Sequence, residues 1–74
     1  MKKFKTTDIV LASTLKLKGY KLESIEIKKQ KGIFIFLDVD DQFIEKFNLD
    51  QILISPIDFN NMIKTLTTSV RRMI

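Results

Sequence analysis

The run Ile33-Phe34-Ile35-Phe36-Leu37 constrains the fold more than any other feature of this chain. It is built from strong β-formers and is apolar at odd and even positions alike. A strand made from it therefore needs cover on both of its faces. The residues before it, Leu22 to Lys29, alternate instead. Ile25 and Ile27 fall on one side and Ser24, Glu26 and Lys28 on the other, the pattern of a half-buried strand. Gln30-Lys31-Gly32 supplies a tight connection between the two, with glycine expected to take the positive φ. Together they predict a β-hairpin.

The segments around the hairpin read as helices and one further strand. Thr6-Thr7-Asp8 opens a helix over Asp8 to Lys18: a threonine hydroxyl accepts from the free amides, and Asp8 complements the dipole. Gly19 stands where a left-handed residue ends it. Asp38-Val39-Asp40-Asp41 stops the hairpin and caps a short helix through about Phe47, with Phe43 and Phe47 one turn apart and Asn48 as terminator. Gln51-Ile52-Leu53-Ile54 reads as a third strand. Ser55 as N-cap, Pro56 at the first helical position and Asp58 in the first turn open a last helix. Its stripe is Phe59, Met62, Ile63, Leu66, Val70 and Met73, and Arg71 and Arg72 close it. The expected fold class is α+β, one small domain over residues 1–74 in the order α-β-β-α-β-α. It places a three-stranded sheet, including the hairpin, under helices packed mainly on one face.

Composition removes several function classes. There is no cysteine and no histidine, so disulfides, thiolate metal sites and imidazole general bases are ruled out. Ser13, Ser24, Ser55 and Ser69 have no histidine to activate them, and Gly19 and Gly32 stand too far apart to form a phosphate loop. The expectation is a protein that is not an enzyme, with no cofactor and no small-molecule substrate. Apolar residues make up 45% of the chain against 30% charged, enough to collapse into a core, though a thin one that self-association would support. The net charge of +4 mildly favours an anionic partner, but only Arg71 and Arg72 are arginines, and lysine suits bidentate base reading poorly. Met1-Lys2-Lys3-Phe4-Lys5 starts like a signal peptide, yet Thr6-Thr7-Asp8 interrupts it. The apolar stretch Ile9 to Ala12 is far too short for a membrane span, which predicts a cytoplasmic protein with no membrane partner.

Lys5-Thr6-Thr7-Asp8, Gly19-Tyr20, Phe34-Ile35-Phe36-Leu37-Asp38 and Ser55-Pro56-Ile57-Asp58-Phe59 occur in the order and spacing of a known family. The chain resembles small domains of unknown function from bacteria, phages and prophages, over about residues 4–73. These share a Lys-Thr-x-Asp start, a Phe-x-Phe hairpin strand and an x-Pro-x-x-Phe final helix. It departs from them at Asn48-Leu49-Asp50, where the family has an aromatic residue and a glycine. The likeness implies no activity. It implies a phage or mobile-element setting, in the host cytoplasm or a virion, where small domains bind host machinery or join assemblies.

Several groups of residues remain as candidates. Asp38, Asp40 and Asp41 are the only dense carboxylates, but Phe43 and Leu49 stand where a calcium loop needs glycine and glutamate, and strand-ending and helix-capping roles account for them. Phe34, Phe36, Phe43 and Phe47 read as core rather than as a base-stacking platform, while Tyr20 fits either the core or a rim. If Phe34 and Phe36 lie under the helices, Ile33, Ile35 and Leu37 face the other way, joined on the third strand by Ile52 and Ile54 or by Leu53. That apolar face predicts a protein interface, with a second copy or another protein, unless the first helix covers it. The alternative is a nucleic-acid contact through Lys28, Lys29 and Lys31 at the hairpin tip, extended by Lys16, Lys18 and Lys21. Those tip lysines also serve as a solvated turn that discourages edge pairing.

Overall fold

The structure, a computed structural model, describes residues 2–74. Its elements are β1 (Lys3–Thr6), α1 (Ile9–Leu17), β2 (Leu22–Lys28), β3 (Lys31–Leu37), α2 (Asp41–Asn48) and α3 (Pro56–Met73). The class is α+β, with one open antiparallel sheet in the order β1-β3-β2. The hairpin is as expected, and the doubly apolar strand β3 is the central one, flanked on both sides.

The third strand is not where the sequence places it. Lys3–Thr6 pairs with β3, Lys3 opposite Leu37 and Thr6 opposite Phe34, so the order is β-α-β-β-α-α. Gln51–Ile54 has no regular secondary structure. Both edges of β3 are already occupied, and the start of that segment is held by the preceding helix end. Asp50 takes φ 57° after α2, its amide donates to the Phe47 carbonyl at 3.1 Å, and the Gln51 amide donates to Lys46 at 2.9 Å. This pair of bonds closes a helix through a left-handed residue. The same arrangement ends α1 at Gly19, φ 93°: Gly19 donates to Lys16 and Tyr20 to Leu15.

The start of each helix follows from its first residues. Asp8 is itself the N-cap of α1, accepting from the Val10 and Leu11 amides, while the Thr6 hydroxyl accepts from the Asp8 amide. Asp40 caps α2 through the Gln42 amide at 2.9 Å. Ser55 occupies the N-cap of α3 ahead of Pro56, with no side-chain bond of its own.

The core lies between the inner face of the sheet and the helices. Phe34 and Phe36 meet Leu11, Ala12, Leu15, Val39 and Leu66, with Phe4, Ile25, Phe43, Phe47 and Met62 packed around them. Leu11–Leu15 of α1 are all buried, so this helix has little polar face along its middle. Ser13 is caught there, fully buried with no hydrogen-bond partner for its hydroxyl. Tyr20 belongs to the rim of the core, edge-on to Phe43 with ring centres 5.1 Å apart.

The connection between β2 and β3 also differs from expectation. Lys28 pairs with Lys31, leaving a two-residue turn in which Lys29 (φ 52°) and Gln30 (φ 63°) take the positive φ values. Two successive positive φ values match the turn favoured by the right-handed twist of a hairpin. Gly32 serves a different need. A methyl group on it would come 2.6 Å from Cγ2 of Val70, so glycine is what lets α3 cross β3 at that point.

Candidate functional site: one shielded face, one open segment, one basic end

The outer face of the sheet does not offer the apolar surface expected of it. Ile33, Ile35 and Leu37 do point away from the core, but Ile35 is 3% exposed and Leu37 8%, and Ile33 is half-buried. No helix covers them. The cover comes from β1 and β2: Lys5 and Ser24 stand opposite Ile35, Lys3 opposite Leu37 and Glu26 opposite Ile33. Lys3 Nζ reaches Glu23 at 3.0 Å, an ion pair joining β1 to β2 across the central strand. Long charged side chains shield apolar surface with their aliphatic stems while their heads stay wet. The interface predicted at Ile33, Ile35 and Leu37 is therefore already closed within one copy, and Ile52 and Ile54 are not part of that sheet.

Apolar surface does remain open between α2 and α3, apart from Val10 on α1 and Met73 and Ile74 at the end of α3. Ile52 and Ile54 are half-buried, whereas Leu53 between them is 86% exposed, with Leu49 and Ile57 also exposed to either side. Among the described residues, the amides of Ile52, Leu53 and Ile54 donate to no other group, while the Leu53 carbonyl accepts from Lys18 Nζ at 2.7 Å. The segment thus keeps the alternation of a strand without a strand partner. The sequence pattern marks Ile52, Ile54 or Leu53 as neighbours of the β3 face, whereas the structure sets this segment apart from the sheet and leaves Leu53 the exposed one.

The basic residues divide between two ends of the molecule. Lys28, Lys29 and Lys31 sit at the hairpin tip. Lys16, Lys18 and Lys21 lie at the other end of β2, about 20 Å away along its seven residues, so the predicted six-lysine patch does not form. What joins the tip instead is Arg71, which lines a cavity with Gly32, Phe34 and Val70, and Lys5, which lies beside Ile33. Arg72 lies on the last turn of α3 with Lys64 lining the same surface, so this end is rich in cations, with Asp8 and Glu26 as its carboxylates. The hairpin end is thus the more cationic end of the molecule.

The three clustered carboxylates are committed to structure. Asp38, at φ 53°, exchanges bonds with the Lys2 backbone, Asp40 caps α2, and Asp41 pairs with Lys2 Nζ at 3.3 Å. Among the described residues no three acidic side chains converge on one point, and no helix is long and apolar enough to cross a membrane. Comparison with protein-family models, curated proteins and solved structures finds no match for the chain.

Proposed function

We propose that this chain is a non-enzymatic protein-interaction module that docks a protein through its residues 51–57. One observation carries the reading: an extended segment with strand-like alternation, free amides at Ile52, Leu53 and Ile54, and Leu53 turned out to solvent. A free row of amides beside an exposed leucine suits strand addition, in which main-chain bonds give affinity and alternate side chains give selectivity. The partner is another protein or a second copy of this chain, and the resemblance to phage-type domains fits either a host target or an assembly.

The test combines sedimentation across a concentration series with capture of partners by the wild type and by Leu53→Asp/Ile57→Asp. Both side chains are exposed, so the variant keeps the wild-type circular dichroism. Association or capture that depends on these two residues, with slowed hydrogen exchange at amides 52–54 in the complex, is the expected result. A complex formed equally well by the variant sinks the proposal.

A further inference from the structure

We propose that the hairpin end is a second binding surface, one that holds the phosphate backbone of duplex DNA without reading its sequence. It is independent of the docking segment, which belongs to the opposite end, where α3 begins.

The first support is where the charge sits. Lys28, Lys29 and Lys31 of the β2–β3 hairpin and Arg71 of α3 are brought together by the close crossing of α3 over Gly32. A cationic patch of this kind attracts a polyanion, and each neutralised phosphate releases condensed counterions. The second support is the turn. Lys29 and Gln30 occupy a conformation that favours glycine or asparagine, yet a lysine stands there, in the two-residue turn that closes the hairpin.

The side chains present select among polyanions. Every aromatic ring is engaged elsewhere: Phe34 and Phe36 are buried, Phe4, Tyr20, Phe43 and Phe47 pack on the core, and Phe59 lies in the first turn of α3. With no ring free at this end, stacking on the bases of a single strand has no platform. Lysine in place of arginine at the tip gives point charges suited to phosphates rather than forks for base edges. The tip itself, Lys28 to Lys31, has no apolar side chain to enter a bilayer. Met73 and Ile74 are exposed nearby at the end of α3, so a vesicle measurement belongs in the test.

The experiment is fluorescence anisotropy on the full chain with a labelled 20-base-pair DNA of arbitrary sequence, titrated with salt. Four phosphate contacts predict a slope of log K against log salt of about −3.6. Lys28→Gln/Lys29→Gln/Lys31→Gln reduces that slope to about −1 and weakens binding more than tenfold at low salt; Arg71→Gln reduces it by about 1. Lys16→Gln/Lys18→Gln/Lys21→Gln removes the same charge from the other end and leaves both values near wild type. All of these side chains lie on exposed positions, and circular dichroism confirms that each variant is folded. The proposal is overturned by failure of the wild type to bind at low salt or by equal losses in the two triple variants. Lysine-dependent binding to anionic phosphatidylserine vesicles with none to DNA also overturns it.

Discussion

Replacing Gly32 with alanine forces a methyl group into the contact between β3 and α3. Its Cβ would lie 2.6 Å from Cγ2 of Val70, 3.3 Å from Cγ1 and 3.6 Å from Cβ. Ordinary contact begins near 3.4 Å, so the two elements must separate by most of an ångström or Val70 must leave its rotamer. Overpacking of this kind costs about 1–3 kcal/mol. Alanine regains about 0.5–1 kcal/mol over glycine in a strand, since it loses less backbone freedom on folding. The net expectation for Gly32→Ala is a loss of about 1–2 kcal/mol, or a fall in Tm of roughly 4–16 °C for a domain of this size. Val70→Ala deletes two half-buried methyls and costs about 1 kcal/mol. In the double variant the new methyl faces only the Cβ at position 70, at the comfortable 3.6 Å. It should therefore exceed Val70→Ala alone by the roughly 0.5–1 kcal/mol that alanine regains, giving a coupling of about 1–3 kcal/mol between the two sites. Urea denaturation followed by circular dichroism measures all four proteins. Effects that simply add to within about 0.5 kcal/mol would refute the crossing of α3 over this glycine.

Three other substitutions test the fold at single points. Ser13→Ala removes a buried hydroxyl with no partner, and should raise stability by about 1 kcal/mol in the same denaturation assay. Asp50→Gly relieves the left-handed residue after α2 and should gain about 0.5–1 kcal/mol, whereas Gly19→Ala at the corresponding place after α1 should lose about 1 kcal/mol. Lys29→Asn/Gln30→Gly supplies the residues this hairpin turn favours, and should raise Tm by several degrees while weakening any polyanion binding at the tip.

Local chemistry made much of this fold legible. Gly19 after two lysines, serine before Pro56, the alternation of Ile25 with Ile27, and the unbroken β3 run each carry their own explanation within a few residues. What escaped depended on distant partners. Lys3-Phe4-Lys5-Thr6 has a single apolar residue and becomes a strand because β3 offers it an edge. Gln51–Ile54 has the better strand pattern, but β3 has no edge left to offer. Gly32 was legible as special, although the reason is Val70, 38 positions later. The candidate surfaces were harder still. Arg71 reads in isolation as a cation closing a helix. Only the length of α3, about 27 Å over 18 residues, returns it to the hairpin tip. Nothing in the spacing of Lys3 and Glu23 announces that they reach across a strand lying between them.

The placement of β1 has a consequence for synthesis. Lys3 to Thr6 leave the ribosome well before Phe34 to Leu37, the residues they must join. At about 5–20 residues per second that interval is roughly two to six seconds. Throughout it Phe4 has no phenylalanine to settle against, and β2 and β3 can zip into their hairpin as soon as both are made. The first of these three strands to be made thus waits longest for its partner, since β1 and β2 alike can pair only once β3 exists.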